Sequence, residues 1–201
     1  MATGEEGKPF VDYPEKTREY LQRIQQGEQR HAFRKGREVG KWQEEARAAL
    51  VEMTGLGRMR RDLSSFRPTV TEGKAVEIDG SYYRSLCKIE TEPGVSVPFY
   101  LLVPKTPDKG CFPLFLCPHG HDRLGLHSYA GAYRDDAHRE KIEGRNGNIG
   151  ELAVRRGFVA LVPATRGLAD EVLIPDPKGR HGNRPCRAQF MHCLVAGRTP
   201  M

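Results

Sequence analysis

An α/β fold, with a mostly parallel sheet entered through an antiparallel edge hairpin and preceded by a helical extension, is what the 201-residue sequence predicts. Three observations carry this expectation. Apolar residues recur at three- and four-residue steps as far as about residue 56, then change to short strand-like runs from Thr69 onward. Residues 112–117 and 158–163 are apolar without alternation, the pattern of strands covered on both faces. A helical pattern lies between them, and helix–strand alternation around doubly covered strands implies parallel pairing.

The elements follow in order. From residue 14 to about 26, Tyr20, Leu21 and Ile24 fall at helical spacing among charged neighbours. Between residues 37 and about 56, Val39, Trp42, Ala46, Leu50 and Met53 form one apolar stripe that must pack on something. Residues 1–68 are thus expected as a helical extension and 69–201 as the main domain. Residues 75–78 read as a short strand ending in the Asp79-Gly80 turn. Residues 82–90 and 96–103 read as a hairpin across Thr91-Glu92-Pro93-Gly94, where Pro fixes φ and Gly tolerates a positive φ. Residues 112–117 are expected as a central strand, 118–148 mostly as a polar loop, 149–156 as a short helix closed by Gly157, and 158–163 as a second buried strand. After an irregular stretch from 164 to about 185, residues 187–196 predict one more helix.

Composition narrows the function classes. Hydrophobic residues make up 38% and charged residues 29%, the balance of a folded domain. No stretch approaches the roughly 20 apolar residues that cross a bilayer, and MATGEEGKPF lacks a basic-then-apolar leader, so no membrane partner and a cytoplasmic location are expected. Five cysteines without a CxxC spacing argue against a disulfide framework and against a thiolate zinc knuckle, and predict reduced, mostly buried thiols. The net charge of +6 is spread evenly, with 14 Lys/Arg against 11 Asp/Glu in residues 1–70 and 18 against 15 in residues 71–201. Its short basic clusters lack interleaved aromatics, which argues against a nucleic-acid partner.

In open parallel sheets, ligands gather outside the carboxyl ends of the strands, and both His119-Gly120-His121-Asp122 and Ala164-Thr165-Arg166-Gly167 fall there. A glycine straight after a strand lets the backbone turn sharply. The N–H groups that follow can then receive the negative charge that develops on a carbonyl oxygen during acyl transfer.

The order VSVPFYLLVPK, FPLFLCPHGHD, GELAVRRGFVALVPATRG resembles the first half of an α/β-hydrolase, in the acetyl xylan esterase and dienelactone hydrolase-like branch. The resemblance covers about residues 82–170. It implies that His119-Gly120 open the oxyanion loop, that the His121 amide is one oxyanion donor, and that Asp122 and Arg166-Gly167 line the substrate pocket. It also implies a serine-type hydrolysis of a carboxylic ester, such as an acetyl ester of a sugar, with no cofactor or metal.

One part of the family pattern is absent, because no G-x-S-x-G nucleophile elbow occurs in these residues. Ser128 in Gly125-Leu126-His127-Ser128-Tyr129-Ala130-Gly131 has the wrong glycine spacing, and Met191-His192-Cys193-Leu194-Val195 lacks both flanking glycines. The sequence therefore reads as a hydrolase half that ends before its nucleophile, inactive alone, with an open sheet edge prone to self-association. Two alternatives stand beside it: a non-catalytic pseudo-enzyme, or a metal site on His119, His121 and Asp122 with His127 as a further ligand. Arg166 has a purely structural option, an ion pair with Asp170. The other histidines, His31, His138, His181 and His192, are scattered.

Overall fold

The computed structural model describes residues 13–106, 111–173 and 185–198. The chain divides into two compact units, residues 1–51 and 52–201. The first holds α1 (Tyr13–Gln25) and most of α2 (Val39–Met53). Here Trp42 anchors the loop between the helices: its Nε1 donates to the His31 carbonyl at 2.8 Å, and its ring meets Phe33 edge-on at 5.1 Å. The expected packing of the α2 stripe needs correction. No residue of α2 is fully buried, and Val39 and Leu50 are more than half exposed, because only Trp42 and Ala46 of the stripe turn even partly inward in this unit.

The second unit contains α3 (Leu56–Asp62) and a six-stranded sheet: β1 (Thr69–Thr71), β2 (Val76–Ile78), β3 (Tyr82–Glu92), β4 (Val95–Pro104), β5 (Leu114–Leu116) and β6 (Val159–Pro163). Strand order is β1-β3-β4-β6-β5, with β2 also on β3. The β3–β4 hairpin closes tightly, with Glu92 opposite Val95. Pro93 followed by Gly94 at φ 74° supplies the turn, and its amide donates to Glu90 Oε1 at 2.7 Å. Asp79 and Gly80 both take positive φ at the predicted turn before β3.

The sheet is not mostly parallel. Among the described residues only β5 and β6 run parallel, while β1–β3, β2–β3, β3–β4 and β4–β6 are antiparallel. The long hairpin dominates these residues, and its second strand pairs directly with β6. A further correction concerns 112–117. The strand there lies at the sheet edge, not at its centre, and Leu114, Phe115 and Leu116 are 64%, 42% and 59% exposed. An apolar run reports that a strand could be covered; the neighbours that cover it are a tertiary matter.

The stretch 118–148, expected as a loop, holds two helices, α4 (Gly125–Tyr129) and α5 (Asp136–Glu143). Asp135 caps α5, its Oδ1 accepting from the His138 amide at 2.7 Å. The helix α6 (Ile149–Arg155) ends before Gly157 at φ 86°, as its sequence pattern predicts, and lies against β6 and β4. A single 3₁₀ turn (Asp170–Val172) and α7 (Pro185–Val195) complete the described chain. The core gathers Tyr82, Leu102, Cys117, Leu126, Val154, Ala160 and Val162 between the sheet and these helices. Cys87 and Cys117 are buried, Cys186 and Cys193 intermediate and Cys111 exposed, so the thiols are free but less uniformly buried than expected. No described helix is long and apolar enough to cross a membrane.

An edge strand with three exposed apolar residues and no charge is a template for pairing. Light scattering is expected to show concentration-dependent self-association that Leu116→Lys reduces; a monomer at every concentration would remove the edge as a contact.

Candidate active site

The candidate site lies where the two parallel strands end. The last ladder bond runs from the Cys117 amide to the Leu161 carbonyl at 2.9 Å, after which the chains diverge into 118–124 and 164–169. His119 ties the two together. Its ring is buried, Nε2 accepts from the Thr165 amide at 3.0 Å, and Nδ1 lies 2.9 Å from the Gly120 carbonyl. An acceptor role for Nε2 leaves the proton on Nδ1, which donates to that carbonyl. The His119 carbonyl in turn accepts from the Thr165 hydroxyl at 2.9 Å. Both ring nitrogens are therefore committed to the backbone.

Gly120 and His121 are exposed beyond this tie. Asp122 then fixes the turn: Oδ1 accepts from the Leu124 amide at 3.0 Å, its own amide donates to the Gly120 carbonyl at 2.8 Å, and Gly125 donates to its carbonyl at 2.9 Å. Among the described residues, none accepts a hydrogen bond from the His121 N–H. The loop is thus pinned on both sides of the exposed His121; the Gly120 and Arg123 amides likewise have no acceptor among the described residues.

Behind it, Ser128, His138 and Asp122 meet. Ser128 Oγ is 3.0 Å from His138 Nε2, 3.1 Å from Asp122 Oδ2 and 3.0 Å from the Leu124 carbonyl. The residue types are those of a nucleophilic triad, but the roles do not match. His138 Nδ1 accepts from the Arg134 amide at 3.2 Å, so Nε2 carries the proton and donates to Ser128, whose own O–H donates to Asp122 or the Leu124 carbonyl. The serine is also fully buried. The cluster anchors α4 and α5 to the loop.

Arg166 does not pair with Asp170. Its Nη1 donates to Glu92 Oε1 at 2.7 Å, and its Nη2 to Glu92 Oε2 and to Thr91, a bidentate contact that holds the Glu92 carboxyl below its usual range and raises the guanidinium. Asp170 instead takes Arg123 at 2.5 Å. Gly167, buried at φ 68°, sits where an added Cβ would be 2.8 Å from the Gln189 side chain, so α7 packs directly on this turn.

The structure therefore brings His119, Gly120, His121 and Asp122 into one loop and joins it to the 164–169 turn through Thr165. It does not gather metal ligands: the described residues contain no group of three or more His, Cys, Asp or Glu placed for an ion, and His119 has no nitrogen to offer. His127 turns elsewhere, to Glu171 at 2.8 Å and the Tyr100 hydroxyl at 3.2 Å. His181 lies outside the described residues.

Sequence reasoning missed the Glu92 partner of Arg166, the His127–Glu171 pair and a buried carboxylate, Glu151. That carboxylate, on α6, accepts from Asn148 at 2.9 Å, Tyr133 at 3.1 Å and Arg155 at 2.8 and 3.2 Å, with the Tyr82 hydroxyl at 3.5 Å. Burial works against its charge, yet these donors outweigh it and hold the carboxyl below its usual range. The Tyr82 phenol is pushed up to about 12 by burial and by the Glu151 charge.

Among the solved structures that match this chain are the following two. One is the crystal structure of a protein from Bacteroides fragilis NCTC 9343 assigned as an acetyl xylan esterase, with a TM-score of 0.67 and 18% identity over 99% of this chain. The other is a methylesterase, with a TM-score of 0.41 and 21% identity, covering 75% of this chain and 32% of that one. The first likeness shows a shared mixed α/β fold. This chain spans 48% of that structure's length. No family model matches the sequence, and no curated protein does.

Proposed function

We propose that residues 69–201 are the oxyanion-loop half of a serine-type carboxylic-ester hydrolase of the α/β-hydrolase fold, in the acetyl xylan esterase and dienelactone hydrolase-like branch, acting on a small-molecule ester such as an acetyl ester of a sugar. One observation carries this reading: the His121 N–H, with no acceptor among the described residues, stands on a loop fixed by Thr165–His119 on one side and Asp122–Leu124 on the other. A donor held in place before the reaction is what stabilises a developing oxyanion without reorganisation. His119, Gly120 and Asp122 act by shaping that loop, and Arg166-Gly167 belong to the turn tied to it through Thr165, the guanidinium locked by Glu92.

Hydrolysis would form a bond from an attacking hydroxyl to the ester carbonyl carbon, expel the alcohol with a proton, and release the acid by water. The attacking hydroxyl is assigned outside these 201 residues. Ser128, buried and oriented as a donor to Asp122, does not substitute for it.

Purified protein is accordingly expected to hydrolyse p-nitrophenyl acetate at least roughly 10⁴-fold more slowly than serine esterases do, because oxyanion stabilisation alone supplies a small part of the acceleration. His121→Pro, which deletes the donor, is expected to abolish what remains. Turnover at esterase rates would overturn the placement of the nucleophile, and residual turnover untouched by His121→Pro would overturn the role of the amide.

A further inference from the structure

The acid–base roles that fail at Ser128 are met elsewhere, in a row of three side chains from separate elements of the second unit. Tyr100 stands on β4, His127 on α4 and Glu171 in the 3₁₀ turn. The Glu171 carboxylate lies 2.8 Å from His127 Nε2, and the Tyr100 hydroxyl lies 3.2 Å from Nδ1 on the opposite side of the ring. A carboxylate can only accept, so Nε2 carries a proton. In the neutral imidazole Nδ1 is then an acceptor, and the phenol donates to it. Ser128 meets the reverse, since His138 presents its N–H to the hydroxyl and has spent its other nitrogen on the Arg134 amide.

Carboxylate, imidazole and hydroxyl in that order are the parts of an activated nucleophile. The anion orients the ring and compensates the imidazolium, and the ring takes the hydroxyl proton as the oxygen attacks. Burial pushes the Tyr100 phenol above its ordinary range despite the opposing charge of Arg84, whose guanidinium stands 5.8 Å from the ring centroid. The hydroxyl is therefore not ionised beforehand, and its proton must leave as the new bond forms. Tyr82 and Tyr133 differ, because their hydroxyls point at the Glu151 carboxylate itself with no imidazole between. The row around Tyr100 is also within reach of small reagents, the His127 and Glu171 side chains being 30% and 26% exposed.

We propose that Tyr100 is an acyl-accepting nucleophile, with His127 as its general base and Glu171 as the positioning residue behind His127, and that it takes an acyl group from a small activated acyl donor. The phenol oxygen bonds to the acyl carbon and the phenol proton passes to His127 Nδ1. The bond from that carbon to the leaving group breaks, and the leaving group departs with the proton from His127. The products are an O-acyl tyrosine and a neutral imidazole. This reaction is separate from the ester hydrolysis assigned to the 119–124 loop and needs no serine.

The probe is N-acetylimidazole, added at pH 7 to the full chain, with the rate of acetylation at each tyrosine followed by peptide mass mapping. Release by hydroxylamine distinguishes acetyl groups on phenols from those on lysine amines. Tyr20, 56% exposed, and Tyr83, partly buried like Tyr100, serve as internal references. Tyr100 is expected to react at least roughly tenfold faster than Tyr83 and ahead of Tyr20, reversing the order that exposure alone would give. His127→Gln, whose amide can still donate to Glu171, is expected to slow Tyr100 by roughly 10²-fold while Tyr20 and Tyr83 keep their rates. Glu171→Gln is expected to slow it by roughly tenfold. Wild-type Tyr100 reacting no faster than Tyr83 would overturn the proposal whatever the variants do. So would a His127→Gln chain with the wild-type melting temperature in which Tyr100 is acetylated at the wild-type rate. The readout is a covalent adduct and not ester turnover, so failure here leaves the hydrolase reading standing, and the reverse.

Discussion

Glu151→Ala is expected to cost the second unit about 2–4 kcal/mol, seen as a fall of roughly 5–15 °C in melting temperature by circular dichroism. Asn148, Tyr133 and Arg155 converge on this carboxylate, with the Tyr82 hydroxyl at the edge of reach. Deleting it leaves a buried amide and two phenols without their acceptor and removes one of two anions from Arg155. The estimate sits below the full penalty for breaking a buried ion pair because Arg155 retains Asp79 and its side chain is 35% exposed. Gly131 shows how closely the site is built: a Cβ there would stand 2.4 Å from Glu151 Oε2. The same carboxyl sets an acid limit. Its folded pKa is depressed below 4.5, so its contribution is fully present above that value and is lost as the pH falls through the folded pKa; Glu92, depressed by Arg166, adds in the same direction. Wild-type stability is therefore expected to fall below about pH 4.5, with a shallower slope in Glu151→Gln. Unchanged melting in Glu151→Ala would show that the network is dispensable.

Gly125→Ala is the second large effect, expected at about 2–3 kcal/mol in urea titration. An added methyl would stand 2.1 Å from Nδ1 and 2.3 Å from Cγ of His119. The ring cannot step aside cheaply, since it is buried and held by the Thr165 amide and the Gly120 carbonyl. Relief requires α4 to shift or the ring to leave Thr165, and either displaces the His121 amide. The histidine Nε2 resonance, bound to Thr165 in the wild type, reports which occurs; an unchanged resonance with unchanged stability would mean that the space exists after all.

Much of the architecture was legible because it is local. The Pro93-Gly94 turn, the alternation before and after it, the apolar run of β6 and the stop at Gly157 are each written within a few residues. The helices α4 and α5 escaped because charged, short segments carry little periodicity, although Asp135 followed by Asp136-Ala137-His138 is a capping pattern that could have revealed α5. The exposure of β5 was illegible for another reason: its residues are those of a covered strand, and coverage is decided by other segments. At the candidate site, the loop from His119 to Asp122 could be read from its glycine and its place after a strand. The partner of Arg166 could not, since Glu92 lies 74 residues earlier and nothing in either neighbourhood names the other.

The pairing of β5 with β6 brings Leu114 beside Val159, and the His119–Thr165 contacts close a separation of 46 residues, whereas the β3–β4 hairpin closes around two. Chain entropy must be surrendered before such distant contacts repay it, so the hairpin is positioned to nucleate and the junction carrying His121 to assemble late. The segment proposed for chemistry is thereby the one whose order depends most on the rest of the molecule having already condensed.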